Sequence, residues 1–238
     1  MIGTRSPVTA SLSVEVSGRV LPVRIRVSPR AVRLTLRYLP QEDCLTVTAP
    51  PGVSARFIRK FLSDHHDWIG RRIATAPDRI PFLPGQTIPV LGQMRLITHT
   101  PQGRRGLQMT DTQIVLTGPV EKPENRVRDY LVRLARDTIT TQCQRLTPLV
   151  EGRIRRISVR DTRSRWGSCS ALGDLSFSWR LVMAPPAVLG YVVAHELAHL
   201  AEMNHSPRFW AEVARLMPDY PAPRDWLKRH GSSLHRYG

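Results

Sequence analysis

The 238-residue chain lacks the features that mark secreted or membrane proteins. It has three cysteines, Cys44, Cys143 and Cys169, and no Cys-x-x-Cys pair, which excludes a disulfide framework and a cysteine-based metal site. No apolar run approaches the roughly 20 residues that a membrane-spanning helix needs. The first residues also lack the apolar core of a signal peptide. We therefore expect a cytoplasmic protein.

Lysine is scarce as well, being present only at Lys60, Lys122 and Lys228, yet the formal net charge is +16 because arginine is abundant. Such a chain should bind polyanions, and its arginines are densest at residues 19–37 and 153–165. A biased genomic base composition and ordinary solvated charge explain the same excess. Nucleic acid is therefore an open alternative as a partner, and no membrane partner is expected.

A short pattern of titratable residues, His195, Glu196 and His199, lies in the largely apolar segment Val188–Met203. On a helix, histidines four positions apart lie about 40° apart and one turn above each other. Both rings can then bind one metal ion while the glutamate reaches a water on it, as in zinc hydrolases. An ordinary helix face is the alternative, but burying these three side chains is costly unless a metal or hydrogen bonds satisfy them.

Catalytic zinc usually takes three protein ligands, and His205 is the next candidate. In an unbroken helix, His205 would be rotated by about 240° from His199, so the helix must end near residues 203–204. Asn204 tolerates the left-handed turn that closes helices. Ser206 and Pro207 suit the start of a new helix, and this break would bring His205 back towards the metal.

The spacing of the histidines equals that of the metzincin motif, HExxHxxGxxH. Glu202 occupies the position of the motif's glycine, however, and no Met-turn pattern is evident, so we reject a metzincin. Glu212, on the next helix, is the alternative third ligand, and Glu202 is a weaker one. In that case, His205 would be a cap or packing residue.

Five segments carry a resemblance to a known family: RWGSCS (165–170), LSFSWRL (175–181), Pro185-Pro186, HELAH (195–199) and NHSPRFW (204–210). Together they resemble the YgjP-like metallopeptidases, predicted metal-dependent hydrolases that look related to the SprT-like zinc proteases. The resemblance implies a zincin fold, zinc bound by His195, His199 and His205, and Glu196 as general base.

The hydrophobic pattern predicts an α+β protein without an evident internal repeat. We expect a flexible N-terminus over residues 1–18, a β-rich region over 19–120 with one inserted helix, and a zincin-like metallopeptidase domain over 121–238. That last domain should contain the active-site helix, a backing helix and a small sheet. Half-buried antiparallel strands are predicted at 23–27, 32–37 and 45–49, further strands at 87–91, 94–98, 113–117, 154–160 and 175–179, and helices at 55–73 and 124–146.

The predicted chemistry is zinc-assisted hydrolysis of an amide, and we expect this amide to be a bond in a peptide or protein substrate. Zinc lowers the pKa of its bound water and polarises the carbonyl, and Glu196 takes the proton and passes it to the leaving amine. Arg165, Trp166 and Tyr191 are candidates for lining the cleft or stabilising the transition state. Trp166 and Gly167 could instead pack beneath the motif helix, and Cys169 fits a structural role better than that of a nucleophile.

Three other functions stay open. The first is a nucleic-acid-associated protein, such as a DNA-stimulated protease, and the second is a zinc hydrolase of a non-peptide amide. The third is a zinc-stabilised structural module. Glu196 argues against the third, because a purely structural zinc site needs no base and normally has four closed ligands.

Overall fold

The computed structural model describes residues 12–40, 42–75 and 78–238. The chain separates into two compact units, Met1–Arg79 and Ile80–Gly238, each of which is described by itself. Both combine helices with small sheets, in agreement with the α+β prediction. None of the helices in the described ranges is long and apolar enough to cross a membrane.

Four strands form the sheet of the N-terminal unit: β1 (Leu12–Val16), β2 (Arg19–Val27), β3 (Thr35–Leu39) and β4 (Cys44–Ala49). They are arranged in the order β1-β2-β4-β3. The outer pairs are antiparallel, whereas β2 and β4 are parallel. The prediction of antiparallel strands was wrong for this central pair, because alternation marks the buried face of a strand and says nothing about pairing direction.

Strand β1 lies within the segment that the sequence assigned to a flexible N-terminus. Leu12, Val14 and Val16 alternate with exposed Ser13 and Glu15, so the segment has one apolar face to pair and bury. Residues 1–11 of the predicted flexible segment lie outside the described residues.

Two helices follow the first sheet, α1 (Ala55–Asp64) and α2 (His66–Ala74), where one continuous helix was predicted. The break is at His65, whose φ of −107° and ψ of 14° leave the helical region. Ser54 caps α1 by accepting a hydrogen bond from the Phe57 amide at 3.2 Å. Apolar residues of the helices and the sheet form the core of this unit: Leu21, Leu45, Val47, Ile58, Leu62 and Ile69.

A second four-stranded sheet opens the C-terminal unit, made of β5 (Thr87–Val90), β6 (Gln93–Thr100), β7 (Gly106–Met109) and β8 (Gln113–Thr117). Its order, β5-β6-β8-β7, and its pairing directions repeat those of the first sheet. The first hairpins also match, because Ser17-Gly18 and Leu91-Gly92 all have positive φ, as in a type I′ turn. The chain therefore contains a repeat of topology that its sequence pattern did not reveal.

This second sheet packs within the C-terminal unit. Buried Ile97 and Leu116 share an apolar cluster with Leu131 of α3 (Pro123–Leu146). The boundary predicted at residue 120 separates the sheet from α3, whereas the compact unit begins at Ile80. The sheet and α3 belong to one unit because the apolar face of the sheet must be buried, and residues of α3 bury it.

A three-stranded sheet and three further helices complete this unit. The strands are β9 (Arg156–Arg160), β10 (Gly167–Cys169) and β11 (Asp174–Ser178), in the order β10-β11-β9, so β10 is an edge strand. The helices are α4 (Pro186–Ala198), α5 (Pro207–Leu216) and α6 (Pro221–His230), with 3₁₀ turns at Thr147–Leu149, Trp179–Met183 and Gly231–Arg236. Helix α3 packs along α4, as expected of a backing helix, and β10 lies beside α4.

Candidate metal centre

Helix α4 carries His195 and Glu196 on a segment that is buried over most of its length. The helix ends at Ala198 with His199 as its C-cap, earlier than the predicted end near residues 203–204. The chain leaves it through tightened turns, in which the Leu200 amide donates to the carbonyl oxygen of Leu197 at 2.9 Å. The segment between Ala198 and Pro207 is therefore longer than predicted, which lets it fold back towards His195.

His205 lies where this returning chain enters α5. The hydroxyl of Ser206 caps the helix by accepting a hydrogen bond from the Phe209 amide at 3.3 Å, and Pro207 is the first helical residue. This confirms the helix start that the sequence predicted. The ring of His205 packs against those of Phe209 and Trp210, with centroid distances of 4.7 and 6.0 Å. Capping and ring packing therefore fix the direction of the imidazole.

The three histidines form one cluster. His195, His199 and His205 each offer one ring nitrogen, and these atoms all lie within 4.8 Å of one another. The Nε2 atoms of His195 and His205 are 3.1 Å apart. Two neutral imidazole nitrogens at that distance need a shared proton or a common cation between them. The group could therefore hold a metal ion, and its donor set fits one.

The protonation states of the cluster favour metal binding. Burial, aided by the charges of His199 and His205, lowers the pKa of His195 to about 4, and burial also lowers the pKa of His199. His199 Nδ1 lies 3.1 Å from the carbonyl oxygen of Glu202, which can only accept, so Nδ1 carries the proton and Nε2 is left for a metal. The buried Nδ1 of His195 has no hydrogen-bond partner among the described residues.

Glu196 lies beside this cluster and is only 5% exposed. Burial raises the pKa of its carboxyl to about 8, against the opposing charge of Arg165. Burial therefore favours the protonated carboxyl, whereas a cation at the histidines would favour the ionised form. Gly167 of β10 packs directly on it, since a Cβ at that position would lie 2.4 Å from Glu196 Oε1.

A cavity of about 490 Å³ opens over the cluster. One wall consists of the three histidines, Glu196 and Met203. The other wall is β10 with the loop before it, contributing Ser164, Arg165, Gly167, Ser168 and Cys169. Strand β10 is at the edge of its sheet, and all three of its residues line the cavity.

The three residues that the sequence proposed for the cleft or the transition state have different environments. Arg165 lines the cavity. Tyr191 is buried beneath His195, at a centroid distance of 5.8 Å. The ring of Trp166 stacks on that of His235, 5.1 Å away, so this side chain packs against the C-terminal segment.

The two alternative third ligands are engaged elsewhere. The carboxylate of Glu212 pairs with Arg215, whose Nε donates to Glu212 Oε2 at 2.8 Å. Glu202 takes part through its backbone carbonyl, which orients His199. Sequence reasoning missed that role, because a main-chain oxygen leaves no signal in the sequence. Packing of Gly167 beneath the motif helix was one of the alternatives from the sequence, and the contact of Gly167 with Glu196 agrees with it.

Cys169 lies in the cavity wall and is partly exposed. Burial, with the negative charges of Glu196 and Asp174, raises the pKa of its thiol to about 11. The group is therefore a protonated thiol at neutral pH and not a thiolate nucleophile. This environment is consistent with the structural role predicted for it.

The chain is similar to known proteins through a family model and a solved structure. No protein of the curated set matches the chain. Among solved structures, the crystal structure of the metallopeptidase zymogen of Pyrococcus abyssi abylysin is similar over 46% of this chain and 96% of that chain, with 20% identity and a TM-score of 0.31. The family model "YgjP-like, metallopeptidase domain" matches residues 32–230, so the chain belongs to the YgjP-like metallopeptidase family.

Proposed function

We propose that the protein is a zinc-dependent metallopeptidase of the zincin type that hydrolyses peptide bonds with Glu196 as general base. One observation carries the proposal: three imidazoles offer ligand atoms within 4.8 Å of one another beside a buried carboxyl group. Membership of a metallopeptidase family supports the same reaction class. The arrangement of α4, the backing helix α3 and the edge strand β10 supports the zincin assignment.

His195, His199 and His205 would hold the metal. Three neutral nitrogen donors with a position left open suit catalytic zinc, which activates water and polarises a carbonyl when bound. The hydrogen bond from His199 to the Glu202 carbonyl fixes one ring's orientation and raises its basicity. The rings of Phe209 and Trp210 hold His205 in place.

Glu196 would accept a proton from the attacking water and pass it to the leaving amine. Its burial suits this task, because a carboxyl whose pKa is raised holds a proton more strongly than an exposed one. Because Gly167 has no side chain, the Glu196 carboxyl can occupy the space beside it. Arg165 lies on the same cavity wall, where its guanidinium can donate to a substrate carbonyl or carboxylate.

The direct test replaces Glu196 by Gln, which keeps the size of the side chain but removes the base. We expect a fall of about 10²–10⁴-fold in peptide hydrolysis with zinc content unchanged. Glu212→Gln is the control and should keep both, because this carboxylate pairs with Arg215. Wild-type turnover by Glu196→Gln would show that the base is elsewhere. Turnover of small acyl amides without peptide cleavage would favour the non-peptide alternative.

A further inference from the structure

The cavity over the metal centre continues into a second groove of about 520 Å³. The two share four wall residues: Ser164, Arg165, Ser168 and Cys169. The second groove lies over the β10-β11-β9 sheet. A ligand that occupies the metal-centre cavity can therefore extend into it without leaving the protein surface.

The alternation of β9 and β11 gives this groove a polar floor. Ile157 and Val159 pack with the core, while Ser158 alternates with them on the other face. The strand register places Ser168, Ser176 and Ser158 side by side across the three strands. The Ser158 hydroxyl donates to the carbonyl oxygen of Leu175 at 3.1 Å and can still accept, whereas the hydroxyls of Ser168 and Ser176 can donate to a polar ligand as well as accept from it.

The charge of the groove is positive. Arg156 and Arg160 stand at the two ends of β9 and are exposed, and Arg165 lies at the junction with the metal-centre cavity. The one acidic wall residue, Asp174, is held by Arg155, whose Nε donates to Oδ1 at 2.8 Å and whose Nη2 pairs with Oδ2. Asp174 also lies opposite Arg156 in the strand register, and the charge of Arg156 helps to lower the pKa of the Asp174 carboxyl after the larger effect of Arg155. Within the described part of the chain, no hydrogen bond or ion pair engages the guanidinium groups of Arg156, Arg160 and Arg165.

We propose that this groove, which we call the arginine groove, binds the part of the substrate next to the scissile bond and selects extended segments with at least two acidic side chains. The proposal rests on the proposed peptidase function. Arg156 and Arg160 are four residues apart on a strand, so their Cα atoms are separated by roughly 13 Å. Two carboxylates four positions apart along an extended peptide have the same spacing, so each can contact its own guanidinium group.

The test measures binding separately from turnover. The Glu196→Gln protein is titrated, with and without zinc, against a fluorescein-labelled 12-residue peptide containing two Glu four positions apart, and against the same peptide with Gln instead. Fluorescence anisotropy should show about tenfold tighter binding of the Glu peptide at low salt. That preference should shrink in 0.5 M NaCl, because exposed charge pairs are screened.

Charge reversal localises the effect. In the same background, Arg156→Glu with Arg160→Glu should remove the preference for the Glu peptide and favour a Lys version. The matched control, Arg133→Glu with Arg136→Glu, changes the net charge equally at exposed positions of α3 and should keep the preference. Equal losses in both double variants would show that overall charge, and not the arginine groove, attracts the peptide.

The outcomes separate this proposal from the peptidase assignment. If the wild-type protein cleaves peptides but binds the Glu and Gln versions equally, the arginine groove does not select acidic segments. If no peptide is cleaved but the preference for the Glu peptide still depends on Arg156 and Arg160, the arginine groove binds acidic segments and the proposed peptide hydrolysis is wrong. A single-stranded oligonucleotide that displaces the Glu peptide, and whose affinity falls more steeply on charge reversal, would assign the groove to nucleic acid and overturn the proposal.

Discussion

Gly167 and Glu196 are in direct contact: a Cβ added at Gly167 would stand 2.4 Å from Oε1 and 2.6 Å from Cγ of Glu196. Glu196 is almost fully buried, so it has little room to move aside. The edge strand β10 and the helix α4 can therefore approach closely only because position 167 has no side chain. This contact sets the place of the proposed base relative to the three histidines.

Gly167→Ala should therefore displace the Glu196 side chain. We expect peptide hydrolysis to fall by about 10²-fold, as misplacement of a reacting group by about 1 Å can cause, while zinc content stays at the wild-type level. Metal analysis together with peptidase kinetics checks both parts.

Gly190→Ala is the matched control, because Gly190 lies on α4 and its Cβ would meet nothing within 4 Å. It should leave hydrolysis unchanged and, since alanine is the better helix former, raise the free energy of unfolding by up to about 1 kcal/mol. If Gly167→Ala hydrolyses peptides at the wild-type rate, the contact does not position the base.

Zinc affinity should distinguish the two residues considered as third ligand. His205→Ala removes one of three nitrogen donors and should weaken zinc binding by more than the roughly 10–100-fold that loss of a ligand's hydrogen-bond partner causes. Glu212→Ala should leave the affinity close to wild type, because this carboxylate pairs with Arg215. Competition titration with a chromophoric chelator measures both. The reverse ranking would assign the third ligand to Glu212.

The sequence predicted the start of α5 better than it predicted the pairing of the strands. Ser206 and Pro207 predicted the start of α5, because helix capping depends on residues that are neighbours in the sequence. The parallel pairing of β2 with β4 depends on which strands meet in space, and alternation carries no such information. The early end of α4 at Ala198 was missed for a similar reason. No glycine or proline marks it, and the Glu202 amide still donates to the carbonyl oxygen of Ala198 at 3.0 Å, so the helix ends over a turn and not at one signal residue.

Alkylation of Cys169 should be slow at neutral pH. Its pKa is raised to about 11, so the reactive thiolate is a small fraction at pH 7 and grows as the pH approaches that value. Cys44 and Cys143 are buried, so Cys169 should be the thiol that iodoacetamide labels in the folded protein. Mass spectrometry of the labelled peptides between pH 7 and 10 gives the profile.

Cys169→Ser should abolish this labelling and retain peptide hydrolysis, because the proposed chemistry uses Glu196 and not a thiol. Rapid labelling at pH 7 would show that the thiolate is stabilised by a positive charge near the cavity. Loss of hydrolysis with zinc and fold intact would give Cys169 a part in the reaction.

Arg180 connects Asp161, the residue after β9, with the C-terminal segment of its unit. Its side chain is 3% exposed, and Nε donates to Asp161 Oδ1 at 3.2 Å. Nη1 donates to the carbonyl oxygens of Leu234 and Tyr237, and the guanidinium lies 4.5 Å from the centroid of the Trp179 ring. Replacing Arg180 by Met would keep most of the volume but leave these two carbonyls without their donor.

Arg180→Met should therefore lower the free energy of unfolding by about 1–3 kcal/mol, the range found when a buried polar group loses its hydrogen-bond partner. Asp161→Asn should lower it by less than about 1 kcal/mol, because the aspartate is 48% exposed and water screens the pair. Arg136→Met, at an exposed position of α3, controls for the loss of one charge and should have little effect. Urea denaturation followed by tryptophan fluorescence measures all three. Equal stability of Arg180→Met and the wild type would mean that solvent or neighbouring donors satisfy the two carbonyls, and that Arg180 does not anchor the C-terminal segment.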